Sequence, residues 1–233
     1  MQAVIMAGGL ATRIRPLTNE IPKSLVSIEE RPFLQYQIEL LTCYGIKDII
    51  LCVSYMGKKI ENCFGDGNKY NARIIYSYEK EKLLGTGGAL KLAEKNLKEN
   101  FFLIWGDSYV NLNYKEMHDF HLKNSDNFDV TIAIFYNIRN YDKSNIVYKS
   151  GKIKKYEKNS TDKMKYIDAG VMVINKKLLL RIPPGKVFQI ENLFTKLAKE
   201  EKIKPFLIKK RYYEVGSLKG LNQFTKFVKR NQI

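Results

Sequence analysis

The feature that most constrains the fold is an alternation along the first 135 residues. Short apolar runs, Gln2 to Met6, Asp48 to Val53, Arg73 to Tyr78, Phe101 to Trp105 and Val130 to Phe135, are separated by longer stretches of helical period. Runs this short and this apolar are buried strands, and a helix between two of them returns the chain to lay the next strand parallel to the last. Pro32 to Tyr44 reads as one such helix, with Pro32 at its start and Phe33, Tyr36, Ile38, Leu40 and Leu41 marking an apolar side. Lys58 to Phe64 and Gly88 to Leu97 read as the next two. Right-handed crossovers then lead to an α/β fold, a doubly wound and mostly parallel sheet of Rossmann-like form.

Beyond about residue 136 the pattern changes to shorter strands, around Ile146 to Tyr148, Ile153 to Tyr156 and Tyr166 to Ile174, which makes the sheet mixed. Helical segments follow at Gln189 to Lys199 and Ser217 to Arg230. No Pro, Gly or Ser-rich linker divides the chain, so residues 1–233 read as a single domain.

Composition narrows the functional classes. With 45% hydrophobic and 12% aromatic residues the chain can bury a core, which excludes wholesale disorder. No apolar run approaches the roughly 18–20 residues that cross a bilayer. The first residues run straight from an apolar strand into a glycine loop without a basic leader, so a cytoplasmic protein with no membrane partner is expected. Three cysteines, Cys43, Cys52 and Cys63, show no CxxC spacing and are read as reduced thiols. Forty Lys and Arg against 24 Asp and Glu give a net charge of +16, which attracts anions. The lysines are scattered through every segment and no nucleic-acid-binding string occurs, so small phosphorylated ligands are favoured over nucleic acid.

Three segments carry chemistry. After the first strand comes Ala7-Gly8-Gly9-Leu10-Ala11-Thr12-Arg13, where adjacent glycines let backbone approach a ligand and free amides form an anion-binding concavity. It is neither GxGxxG nor GxxxxGK[ST], so neither a dinucleotide fold nor a Walker NTPase is indicated. Arg13 offers a phosphate-binding fork, and Lys23 follows behind Pro22. Alone, this string reads as readily as a glycine turn with solvated cations. Leu84-Gly85-Thr86-Gly87-Gly88 is a second glycine loop opening a helix. Phe101 to Asp107 places a carboxylate just past the end of a buried strand, the edge where doubly wound sheets bind ligands; a lone aspartate there is usually a loop cap.

Taken together and in order, GGLATRIRPLT, PKSL, SYEKEKLLGTGGAL, WGDSY, YEKN, DAGVMVI and YYEVGSLKGL resemble the sugar-1-phosphate nucleotidyltransferase family across essentially the whole chain. Pro32-Phe33-Leu34, Phe64-Gly65-Asp66-Gly67 and Glu79 look most like the D-glycero-D-manno-heptose 1-phosphate guanylyltransferases. Mannose-1-phosphate guanylyltransferases and MurNAc-1-phosphate uridylyltransferases share much of the pattern.

The resemblance implies transfer of a nucleoside monophosphate from an NTP, GTP for preference, to a sugar 1-phosphate with release of pyrophosphate, as an early step toward capsule or lipopolysaccharide. A nucleotide-facing part would span about residues 1–135 and a sugar-phosphate-facing part about residues 136–233, in a monomer or a homodimer. Such a displacement needs charge neutralisation more than covalent help, which suits a chain whose motifs hold Arg, Lys and carboxylates. By the resemblance, Arg13 holds the β and γ phosphates, and Lys23 bridges the α-phosphate and the attacking phosphate. Asp107 and Glu214 bind Mg²⁺. Gly8, Gly9, Leu10, Gly87 and Gly88 line the nucleoside. Glu79, at the end of the third strand and six residues before Gly85, is placed to accept two hydrogen bonds from the N1 and N2 donors of guanine. Glu157, Lys158, Asp168 and Gly170 take the sugar phosphate.

Two residues depart from the family pattern: Asp168 stands where Asn is usual, replacing an amide by an acceptor-only carboxylate, and Glu214 stands where Asp is usual. A catalytically silent nucleotide-sugar sensor would predict erosion of Arg13, Lys23 and Asp107, and all three are present. His118 and His121 share a helical face but have a polar context and no cysteine nearby, so they are read as surface histidines.

Overall fold

The computed structural model describes residues 1–9, 14, 16–80, 82–138, 141–157 and 163–233. In chain order the strands are β1 (Gln2–Met6), β2 (Ser27–Ile28), β3 (Arg31–Pro32), β4 (Asp48–Val53), β5 (Arg73–Tyr78), β6 (Asn100–Trp105), β7 (Ser108–Tyr109), β8 (Val130–Tyr136), β9 (Ile146–Lys149), β10 (Lys152–Tyr156), β11 (Tyr166–Asn175), β12 (Ile203–Ile208) and β13 (Tyr213–Glu214). The α-helices are α1 (Phe33–Cys43), α2 (Gly57–Phe64), α3 (Gly85–Leu92), α4 (Tyr114–Asn124), α5 (Ile190–Lys199) and α6 (Leu218–Asn231).

Among the described residues, nine strands form one mixed sheet in the order β10-β9-β11-β6-β1-β4-β5, with β8 joining β11 to β12. The β6-β1-β4-β5 half is parallel, whereas β11 runs antiparallel to both β6 and β8. The two halves therefore share hydrogen-bonded strands, and the fold is the mixed, doubly wound α/β arrangement expected from the alternation.

Side-chain alternation in β1 shows how the layers are built. Ala3 and Ile5 enter the core under α1, α2 and α4, while Val4 points into the core under α3 and α5. All three are fully buried. Both faces of the strand are covered, so its sequence is continuously apolar rather than alternating. Gln2, the one polar residue in β1, is buried because its amide donates to Asp48 Oδ2 and Asn96 O and its oxygen accepts from Lys98 N. A third apolar cluster, around Phe224, packs α6 against Phe33 and Tyr36 of α1 and Tyr109 of β7.

Three departures from the sequence reading have local causes. The third helix begins at Gly85 rather than Gly88 and ends at Leu92, followed by a 3₁₀ turn at Glu94–Asn96. Strand β12, which contains Pro205, is absent from the sequence reading; among the described residues it pairs only with β8, at the sheet edge, where a proline is tolerated. His121 is fully buried, not a surface histidine: its ring nitrogens meet Thr131 Oγ1 at 2.9 Å and Asn100 Oδ1 at 3.3 Å. Burial lowers its pKa to about 4, so it sits neutral in the core.

Candidate active site

A cavity of about 560 Å³ opens at the carboxyl edge of β1, β4 and β6. This is where a doubly wound sheet leaves room for a ligand between diverging connections. Gly8, Gly9, Lys23, Glu79, Asp107, Asp168 and Glu214 all line it, though they come from every part of the chain.

The floor is the turn after β6. Gly106 packs so closely on the end of β1 that an added Cβ would lie 2.3 Å from the Met6 carbonyl oxygen. Gln37 of α1 donates its amide to the carbonyls of Trp105 and Ser108, on either side of Gly106-Asp107. Asp107 is thereby aimed into the cavity, where its Oδ2 accepts from Lys23 Nζ at 2.6 Å. Lys23 is held in a one-turn 3₁₀ helix, Lys23–Leu25, behind Pro22.

Glu214 approaches from the opposite wall. Short strand β13 pairs with β7, setting Glu214 opposite Ser108, and Val215 N–H donates to Asp107 O at 2.8 Å. Helix α6 fixes β13 through the stacking of Phe227 on Tyr213 and through Gly220, where a Cβ would fall 1.9 Å from Glu214 O.

The glycine loop is anchored by Ser54 Oγ, which donates to Gly8 O, and by Ala7 N–H, which donates to Cys52 O. Glu79 stands beside it. Its Oε1 accepts from Leu84 N at 2.6 Å, and its Oε2 lies 3.3 Å from where a Gly8 Cβ would be. Burial raises the Glu79 pKa and the Leu84 hydrogen bond opposes the rise. Oε1 thus already serves the second glycine loop, and a base edge meeting both oxygens would share Oε1 with the Leu84 N–H.

Gly87 and Gly88 do not line the cavity; Gly85 and Thr86 do. The amides of Gly87 and Gly88 both donate to Phe188 O, and a Cβ on Gly87 would meet the Phe188 ring at 2.6 Å. Their small size serves the packing of α3 against the start of α5. Gly170 is likewise a backbone device: with φ +89° it forms the bulge in β11, and a Cβ there would meet Ser108 Oγ at 2.3 Å. Glu157 lies outside the lining, paired with Lys155 at 3.0 Å. Leu10, Arg13 and Lys158 lie outside the described residues.

Among the described lining residues, six are carboxylates, Glu79, Asp107, Asp142, Asp168, Glu191 and Glu214, and two are lysines, Lys23 and Lys143. The cavity is locally acidic in a chain of charge +16. Asp107, in the turn before β7, and Glu214, in β13, present hard oxygen donors, and no group of three or more His, Cys, Asp or Glu placed to hold a metal ion occurs among the described residues. That donor set fits Mg²⁺, which takes one or two carboxylates and fills its octahedron with phosphate and water oxygens, and does not fit a zinc cage.

Residues 2–231 match the family model described as nucleotidyl transferase. The chain belongs to that family. It is 29% identical over 222 residues to the D-glycero-alpha-D-manno-heptose 1-phosphate guanylyltransferase of Campylobacter jejuni, covering 93% of this chain and 95% of that protein. It is 32% identical to the protein of the same name from Aneurinibacillus thermoaerophilus, covering 91% and 88%. The mannose-1-phosphate guanyltransferase of Aspergillus oryzae is 30% identical over 94% of this chain, which spans 62% of the fungal protein. Crystal structures of HddC from Yersinia pseudotuberculosis, one of them complexed with GMP-PN, superpose with TM-scores of 0.82 and 0.81 at 27% identity, over 97% of this chain and 98% of that one.

Within this family fold, the reading from sequence missed the supports. Gln37, Tyr156 and Glu191 hold or flank the ligand-facing groups, and only Gln37 left a signal, a polar side chain on the apolar face of a helix. Tyr156 Oη donates to Asp168 Oδ2, and Glu191 Oε2 accepts from Thr86 Oγ1.

Proposed function

We propose that the protein is a sugar-1-phosphate guanylyltransferase, joining GMP from GTP to a sugar 1-phosphate, with D-glycero-D-manno-heptose 1-phosphate favoured as acceptor. The observation that carries this reading is the convergence of Lys23, Asp107 and Glu214 beside the Gly8-Gly9 loop, in one cavity. The names of the relatives similar to this chain, and the HddC complex with GMP-PN, support guanine and heptose.

In this reaction an oxygen of the sugar phosphate attacks the α-phosphorus of GTP. The bond from that phosphorus to the bridging oxygen breaks, and pyrophosphate leaves with the electron pair. No covalent intermediate is required, so the chain contributes position and charge. Lys23 would lie between the α-phosphate and the attacking phosphate, neutralising the crowding of two anions. Arg13 would hold the leaving pyrophosphate. Asp107 and Glu214 would hold Mg²⁺, which when bound supplies Lewis-acid polarisation of the phosphoryl oxygens. Before ligand arrives Lys23 and Asp107 neutralise each other, so binding exchanges one ion pair for two new ones.

Glu79 would accept from both the N1 and N2 donors of guanine, Oε2 taking one and Oε1 sharing the other with the Leu84 N–H. Uracil offers a single imide donor, and cytosine and adenine lack the paired edge. A panel of GTP, UTP, CTP and dTTP crossed with sugar 1-phosphates, read as pyrophosphate release, tests the assignment. GTP with a heptose or mannose phosphate should give the highest kcat/KM, and a preference for UTP or CTP overturns the guanylyl reading.

A further inference from the structure

The end of the cavity away from the glycine loop contains a carboxylate that is unusually fixed. Asp168 is 9% exposed and lines the cavity. Tyr156 Oη donates to its Oδ2 at 2.8 Å, Gly170 N–H donates to its Oδ1 at 2.8 Å, and its own N–H donates to Asn145 Oδ1 at 2.9 Å. The β11 bulge that turns Gly170 inward is what brings that amide to the carboxylate. Trp105 donates a third hydrogen bond to the carboxyl. An ionised carboxyl has about four acceptor sites, so one remains open after these three bonds are made, and neither oxygen can donate. Glu191 adds a second carboxylate close enough to act electrostatically on Asp168, with its Oε2 already accepting from Thr86. Lys143 also lines this region but is exposed, where water screens its charge. Among the described residues, the charge fixed in the buried part of this wall is therefore negative.

Resting on the reading that this cavity takes a sugar 1-phosphate, we infer that Asp168 is a specificity-determining residue: it admits neutral sugar phosphates that offer a hydroxyl donor and rejects those that carry a second acid group on the sugar. A hydroxyl meeting Asp168 forms a charge-assisted bond to a carboxylate that is largely buried. A sugar carboxylate meeting it sets two anions together with no proton to share between them, so the cost falls on binding and on every later step. Excluded substrates are thus uronic acid 1-phosphates and sugar phosphates bearing a lactyl ether.

Matched pairs isolate the effect. Mannose 1-phosphate and its C6 carboxylate counterpart differ only at the acid, as do MurNAc 1-phosphate and its neutral lactyl amide. With GTP and Mg²⁺, the wild type should favour the neutral member of each pair that is turned over by at least tenfold in kcat/KM. Asp168→Asn should reduce that ratio by at least fivefold while leaving the GTP Kd unchanged. Asparagine keeps the geometry, since its oxygen can accept from Gly170 N–H and its NH₂ can donate to Tyr156 Oη. Should Asp168→Asn fail to fold, Glu191→Gln is the second variant and should lower the ratio in the same direction. Turnover of acid and neutral members within threefold of each other in the wild type overturns the inference, as does an unchanged ratio in the folded Asp168→Asn protein. Absence of pyrophosphate release with every neutral sugar phosphate would instead count against the nucleotidyltransferase reading itself.

Discussion

Lys23 Nζ lies 2.6 Å from Asp107 Oδ2, joining residues 84 positions apart into one partly buried ion pair at the floor of the cavity. Each is the other's counter-ion until ligand arrives. Removing the carboxylate should therefore separate binding from turnover. Asp107→Asn is expected to bind GTP in EDTA at least as well as wild type, because Lys23 is released, while kcat with saturating Mg²⁺ falls by about 100-fold or more. Near-normal turnover in that variant would show that Asp107 has no part in holding the metal.

Glu79 divides its two oxygens between the Leu84 amide and the cavity. In Glu79→Gln the side-chain oxygen can keep the Leu84 bond, which turns the NH₂ toward the donor edge of guanine. Donor facing donor should lower the GTP to UTP ratio of kcat/KM by about tenfold, the scale set by one unpaired polar contact. An unchanged ratio would remove Glu79 from base selection and leave it as the anchor of the 82–84 segment.

Gly106 permits the close approach of β1 and the Asp107 turn. A Cβ there would lie 2.3 Å from the Met6 backbone oxygen, which no side-chain rotation relieves. Gly106→Ala should cost about 1–3 kcal/mol of stability, as overpacking does. In a chain of this length that lowers Tm by roughly 2–4 °C per kcal/mol. Turnover should fall further than GTP affinity, since the displaced group is Asp107. Calorimetry and steady-state kinetics on one preparation measure both.

Burial raises the Asp168 carboxyl to about 6, against hydrogen bonds from Gly170, Tyr156 and Trp105 that favour its charged form. Its folded pKa therefore lies above the ordinary carboxylate value of 3.8, so the stability it contributes is present below about pH 4 and is lost as pH rises through about 6. Asp168→Asn has no such loss. The variant should gain stability relative to wild type between pH 4 and pH 7, by up to roughly 3 kcal/mol at the conversion of 1.36 kcal/mol per pKa unit. Denaturant midpoints for the two proteins across that range check it: a constant difference at all pH values would mean the carboxyl titrates normally.

Much of the architecture is legible in one dimension. The strands Gln2–Met6 and Asp48–Val53 coincide with apolar runs in the sequence, because past their first residue both faces are covered; Arg73–Tyr78, at the sheet edge, is legible from its isoleucines and tyrosines though it is only partly buried. The glycine loop, Lys23, Asp107 and Glu214 are equally visible, since the chemistry of phosphate and metal binding restricts which residue types can serve. Tertiary structure decided what those residues face. Gly87 and Gly88 sit inward of the lining because α5 packs against them, His121 is buried because its helix face meets β8, and Glu79 spends one oxygen on Leu84. Asp168 is the sharpest case: its identity is written in the chain, but its orientation depends on Tyr156, Asn145 and a bulge at Gly170. Local periodicity fixes which residues are strand or helix, whereas a hydrogen bond or an ion pair between distant residues exists only once the sheet has brought its strands together.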